Sequence, residues 1–264
     1  MRGFGSVSER LRRATVQVQS GARQSFGSGI VWSSDGLILT NAHVARPGIV
    51  QVQLWDGRSL AARTVSRDLR RDVAALRVAA PDLESAEPGD SSAVRPGELV
   101  IAVGNPLGFA GALSTGIVHS VGSIPGMGAQ NWIRAAVRLA PGNSGGPLAD
   151  AHGRVIGINT AIVNGLGVAV PANEAAAFLR EGPRPALGVT LSPRPPGLRI
   201  LEVEAGSAAE DASLRPGDVL LISLVALHEA LDRGHETLRL FFLRGGSPLV
   251  RQTVVRLEAR AVAA

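Results

Sequence analysis

The chain has 264 residues, enough for one large domain or two of ordinary size, and 45% of them are hydrophobic, enough for a sizeable core. Its formal charge is a modest +5, and all 27 basic residues are arginines set singly or in short pairs such as Arg70–Arg71, without aromatic interleaving, which argues against a nucleic-acid partner. The absence of cysteine excludes disulfides, thiolate metal sites and a cysteine nucleophile.

The opening stretch, MRGFGSVSERLRRATVQV, contains no apolar run of the signal-peptide kind, so a cytoplasmic location is expected. The alternative is an exported or membrane-anchored protein whose sequence starts further upstream. The longest apolar stretch, Val219 to Leu227, is far short of a membrane span. Glycine (32) and proline (16) are abundant while aromatic residues make up only 3%, a balance that predicts a turn-rich β protein with an aliphatic core. Thr15–Gln19 and Val50–Leu54 alternate with the period of two of half-buried strands. Asp35-Gly36, between two apolar runs, predicts a hairpin. Many short strands at such spacing imply a sandwich or barrel, broken into two halves near Arg95-Pro96-Gly97. A helix over Asn173–Arg180 closes this region. The expected organisation is a first domain over 1–181, a linker at 182–185 (Gly-Pro-Arg-Pro), and a second domain over 186–264 with helices near Ala208–Ala212 and Val225–Arg233.

The most informative segment is Pro141-Gly142-Asn143-Ser144-Gly145-Gly146-Pro147-Leu148. Glycines around a serine leave its hydroxyl unshielded and let another backbone approach. The amides of Gly142 and Ser144, on either side of Asn143, can converge on a developing oxyanion. A serine needs a base, and His43 in Leu39-Thr40-Asn41-Ala42-His43-Val44 stands at the end of an apolar strand. His119, His152, His228 and His235 lack such a frame. Asp72, directly before the strand-like Val73–Val78, suits the role of the acid that holds the imidazole in one tautomer; the competing reading is an Asp paired with a neighbouring Arg. The order His, Asp, Ser is that of the chymotrypsin class and not of α/β-hydrolases.

The segments TNAHVA, RRDVAALRV, GNPLG and PGNSGGPL, in this order, resemble the HtrA/Deg family of serine proteases, and the resemblance runs from about Val16 to the end of the chain. It implies a mainly β fold: a chymotrypsin-like pair of Greek-key β-barrels, with His43 and Asp72 on the first and Ser144 on the second, followed by a small α+β PDZ domain. It implies an oxyanion hole at Gly142, Asn143 and Ser144. It implies a specificity pocket from Leu139, Gly167, Val168 and Val170, which has no acid to receive Arg or Lys and so favours small or medium aliphatic residues. In the second domain, Leu187, Gly188 and Val189 match the loop that holds a peptide carboxylate, and Leu214-Arg215-Pro216-Gly217-Asp218 matches the family's turn. Ser213 stands where the family commonly has glycine, a position that often needs φ > 0.

The resemblance therefore implies an endopeptidase of unfolded or damaged polypeptides, needing no metal or organic cofactor and no nucleic acid. The alternative is a catalytically silent, peptide-binding or chaperone-like scaffold. Peptide C-termini are the expected partners of the PDZ domain. A homotrimer is left open, with Phe4 the obvious N-terminal anchor.

Overall fold

The computed structural model describes residues 3–20, 25–105, 111–127, 130–233 and 235–257. Of the GNPLG segment, only Gly104 and Asn105 are among them. They divide into two compact units, one within 1–122 and 131–183, the other within 123–130 and 184–260.

A helix, α1 (Phe4–Arg13), opens the first unit. Val7 and Leu11, one turn apart, are its buried pair, and Arg10, Arg12 and Arg13 crowd its last turn, where cations offset the negative end of the helix dipole. Six antiparallel strands follow: β1 (Thr15–Ser20), β2 (Ser25–Ser33), β3 (Leu37–Thr40), β4 (Ile49–Gln53), β5 (Ser59–Asp68) and β6 (Val73–Val78). They close a barrel in the order β1-β2-β3-β6-β5-β4, with β4 pairing back onto β1. Along β4 only Val50 and Val52 point inward, the alternation visible in the sequence. The barrel is filled by aliphatic side chains, among them Val16, Val18, Val31, Ile38, Val52 and Leu76. Each such side chain contributes about 1.5–3 kcal/mol over exposure. The β2–β3 hairpin turns through Asp35-Gly36. Gly36 takes φ +94° so close to the Val78 carbonyl that a side chain could not fit.

The ring of the second barrel begins just after the Arg95-Pro96-Gly97 break, while one short strand of its sheet precedes the break. Its strands are β7 (Glu87–Pro88), β8 (Leu99–Gly104), β9 (Ala112–Gly122), β10 (Trp132–Ala135), β11 (Pro147–Asp150), β12 (Arg154–Val163) and β13 (Leu166–Pro171). The order is β11-β8-β9-β10-β13-β12-β7, and pairing of β11 with β12 closes a six-membered ring, leaving β7 as a short parallel addition. Val100, Val118, Ile133, Leu148 and Ile156 centre its core. Helix α2 (Ala172–Glu181) follows β13 without a gap, buries Ala175 and Phe178, and ends at Gly182, whose φ of +82° suits glycine. The mainly β, double-barrel class expected from the sequence is the one these strands form.

The second unit carries a five-stranded sheet with β14 (Val189–Arg194), β15 (Gly197–Val203), β16 (Val219–Leu220), β17 (Thr237–Leu243) and β18 (Arg251–Arg256) in that order, so β14 is an edge strand. Two helices, α3 (Ala208–Asp211) and α4 (Leu224–Asp232), accompany it, each N-capped by a serine whose hydroxyl accepts from a first-turn amide. Leu187, Ile200, Leu214, Leu220, Leu227 and Phe242 pack together at its centre. Buried Asp218 accepts from Arg244 at 2.6 and 2.7 Å and from the Arg215 amide at 2.9 Å, which closes the turn around Pro216-Gly217.

Candidate active site

Ser144 lies on the loop before β11. The loop is locked to the first barrel by Ser28 of β2, a fully buried residue. The Ser28 amide donates to the Ser144 carbonyl at 2.7 Å, and its hydroxyl donates to the Gly142 carbonyl at 2.7 Å while accepting from the Asn105 amide at 2.8 Å. Gly142 and Gly145 take φ of +103° and +90°. At Gly145 a side chain would collide with the Ser28 carbonyl and the Thr40 hydroxyl, which explains the glycine. The Asn143 amide is committed to the Ala140 carbonyl at 3.0 Å. The amides of Gly142 and Ser144 have no hydrogen-bond acceptor among the described residues, so these two remain available to an oxyanion.

His43 sits in a turn just past β3, where the amides of Val44 and Ala45 both return to the Asn41 carbonyl at 3.1 Å. Antiparallel pairing of β3 with β6, Thr40 opposite Ala74, brings the β5–β6 turn bearing Asp72 alongside. The His43 Nδ1 stands 2.9 Å from Asp72 Oδ2 and 3.0 Å from Oδ1, and the His43 amide donates to Oδ1 at 3.1 Å. The imidazole is half-exposed at 51%, the carboxylate less so at 20%. Burial pulls the His43 pKa down, but the hydrogen bond and charge of Asp72 outweigh it against a small opposing effect of Arg67, so it stands above its ordinary 6.5. Asp72 pairs with no arginine among the described residues: its neighbour Arg71 is engaged by Asp68, Glu174 and Glu181 instead.

Thr160, on β12, joins the two halves. Its hydroxyl donates to Asp72 Oδ2, and its carbonyl accepts from Ser144 Oγ at 3.0 Å. Ser144 Oγ is thus bonded to Thr160 and not to the His43 ring. The remaining histidines keep other company: His119 lies 3.2 Å from Ser120 Oγ, His152 lies 3.8 Å from Asp150, and His228 and His235 belong to the second unit. Sequence reasoning gave no role to Ser28, Asn41 (which donates to the Asp72 carbonyl at 2.8 Å) or Arg71, and it assigned Gly157–Thr160 to the pocket lining, where Thr160 instead bridges Asp72 and Ser144. The available signal was a polar residue inside an apolar strand, as in Gly27-Ser28-Gly29-Ile30 and Ile158-Asn159-Thr160-Ala161, because a buried hydroxyl needs a partner.

Of the four residues expected to line the specificity pocket, Leu139 and Gly167 meet: a side chain on Gly167 would fall 2.9 Å from Leu139 Cδ1. Val168 and Val170 do not join them. Both are 0% exposed, and each is offset by one residue from the face shared by Gly167 and Ala169, so they offer a substrate no surface. Ile162, opposite Gly167 in the register, is 55% exposed. In the second unit Leu187 is buried and Gly188 takes φ +73°. Their carbonyls accept from Ala209 at 2.9 Å and Glu204 at 2.9 Å, and Val189 starts β14.

The profile of the trypsin-like peptidase domain matches residues 27–158, a span that contains His43, Asp72 and Ser144. The chain belongs to the trypsin-like peptidase family. It is 39% identical over 233 residues to a putative serine protease HhoB of Synechocystis, covering 75% of this chain and 56% of that one. It is 36% identical over 229 residues to a probable periplasmic serine endoprotease, DegP-like, of Marinomonas, covering 77% and 49%. The chain thus spans about half the length of the curated relatives it matches. Among solved structures it is similar to the HtrA-type protease AlgW with a decapeptide (TM-score 0.63, 25% identity, 98% and 99% of the two chains). It is also similar to a serine endoprotease from Yersinia pestis (TM-score 0.66, 26% identity, 98% and 99%). The trypsin-like relatives also correct the expected compartment. Several are named periplasmic, which points to an exported location and not to the cytoplasm.

Proposed function

We propose that the chain is a serine endopeptidase of the HtrA/Deg type that acts on extended polypeptides. The observation that carries this reading is the chain of contacts from His43 through Asp72 and Thr160 to Ser144 in a trypsin-like fold. Nδ1 of His43, facing a carboxylate, carries the proton of the neutral ring and leaves Nε2 as the base. For attack, Ser144 Oγ turns from the Thr160 carbonyl to His43, transfers its proton there and bonds to the scissile carbon. The amides of Gly142 and Ser144 take up the negative charge on the carbonyl oxygen, and protonated His43 returns the proton to the leaving amine. Asp72 stays ionised and stabilises the imidazolium. Leu139 and Gly167, without an acid beside them, favour an aliphatic residue before the cleaved bond, since a buried cation would lack a partner.

The second unit is proposed to be a PDZ-like domain, which adds a peptide to the free edge of β14 and holds its terminal carboxylate near Leu187-Gly188-Val189. A catalytically silent scaffold is the second reading, favoured by the bond from Ser144 Oγ to Thr160 in place of His43.

A fluorophosphonate reagent separates the two readings. The peptidase labels at Ser144, loses labelling and casein cleavage in Ser144→Ala, and leaves products ending mainly in Val, Ala, Ile or Leu. A folded protein that neither labels nor cleaves, with or without added peptides, is the scaffold. Cuts after Arg or Lys would show the pocket to be wrongly assigned.

A further inference from the structure

Asp72 has φ +54°, a left-handed conformation that aspartate adopts more readily than most residues but that still needs support from its surroundings. Asp68 and Asn41 fix the turn from within the first barrel. Asp68 Oδ1 accepts from the amides of Arg70 at 2.9 Å and Arg71 at 2.8 Å, Asp68 pairs with Val73 across the hairpin, and Asn41 holds the Asp72 carbonyl. A further restraint reaches it from α2. The Arg71 side chain is only 3% exposed, and its guanidinium spreads over partners on two elements. Nη1 reaches Asp68 Oδ2 and the Gly182 carbonyl, both at 3.2 Å; Nε reaches Glu174 Oε2 at 3.1 Å; Nη2 reaches Glu181 Oε2 at 2.6 Å. Glu174 and Glu181 stand two turns apart on α2, so one face of that helix presents both.

Two consequences follow from this arrangement. The cation nearest to Asp72 along the chain is drawn off by other carboxylates, which leaves Asp72 to His43 and Thr160. Anchoring Arg71 on α2 also restrains the backbone at residue 71, directly before Asp72, and so limits how far the Asp72 side chain can swing. A planar fork with five N–H groups can span these partners at once; an ammonium cannot.

We propose that Arg71 is a positioning residue for Asp72, holding it toward His43 through an ion cluster anchored on α2. This rests on the peptidase reading above, in which Asp72 orients the base. Burial lowers the His43 titration, the Asp72 hydrogen bond and charge raise it and Arg67 lowers it, so a displaced Asp72 leaves a mark on that titration apart from any loss of rate.

The test uses the full-length chain with Glu174→Gln and Glu181→Gln together, which removes the charges on α2 while keeping their volume and leaving the Arg71–Asp68 contact. A second variant, Arg71→Lys, keeps the charge and loses the fork. Both are compared with the parent in fluorophosphonate labelling rate, in KM for a peptide, and in the His43 ring titration followed by NMR in a Ser144→Ala background. The expected result in both is a labelling rate lower by about 100-fold, the effect of a displacement of about 1 Å, with KM little changed and the His43 midpoint moved down. Labelling at the parental rate overturns the proposal. So does a slower rate with an unmoved His43 midpoint, since the damage then lies elsewhere. If the parent itself fails to label, the peptidase reading falls, while the His43 titration still decides whether Arg71 positions Asp72.

Discussion

Against the downward pull of burial, the Asp72 carboxylate beside His43 Nδ1 lifts the histidine pKa above 6.5. Catalysis needs the ring neutral, so kcat/KM is expected to fall as pH drops through a midpoint above 6.5, and a midpoint at or below 6.5 would contradict the pairing. Stability runs the other way. A raised histidine pKa contributes stability that is fully present below the unfolded value and lost as pH rises through the folded one. Asp72→Asn is therefore expected to cost more melting temperature at about pH 5.5 than at about pH 9. It should also lower kcat by about 10⁴-fold, as loss of the correct tautomer does in the chymotrypsin class. At this scale Ser144, the proposed nucleophile, stood out because the whole of Pro141–Leu148 is built around one serine. Arg71 was not: the acids that hold it lie 103 and 110 residues further along the chain, beyond the reach of local spacing.

Among the elements, the hairpin at Asp35-Gly36, the helix after β13 and the two short helices of the second unit were readable from turn residues and period. Helix α1 was missed because only Val7 and Leu11 face inward among polar and charged neighbours, too short a stripe to stand out. The end of α3 makes a direct test of turn chemistry. Ser213 holds φ +58°, its amide donates to Glu210 at 2.8 Å, and its carbonyl accepts from Arg244 at 2.8 Å, contacts that need no side chain. Ser213→Gly is expected to stabilise the second unit by about 0.5–1 kcal/mol and Ser213→Val to destabilise it, read as shifts in urea midpoint. The relief of left-handed strain must exceed the extra freedom glycine gives the unfolded chain, and a lower midpoint for Ser213→Gly would show that it does not.

For the whole molecule, the compartment was the property least legible in the sequence. It depends on addressing and not on the packing that spacing reports, and relatives named periplasmic supplied the correction. The second unit yields the prediction that belongs here: a peptide with a free C-terminal carboxylate should bind the full chain more tightly in calorimetry than the same peptide amidated. Equal affinities would remove the carboxylate-holding role proposed for Leu187-Gly188-Val189. The edge position of β14 carries a cost that such a role must manage. An open edge offers unpaired amides and carbonyls to any extended chain, including another copy of itself, and sheets left in that state tend to aggregate. Pro193 has no amide hydrogen to donate, and the exposed charge of Arg194 beside it discourages close stacking of copies. The far end of the strand is thus poorly suited to continuous sheet growth, and under the proposed role its beginning at Val189 would accept a short guest while the same edge resists becoming the seed of a fibril.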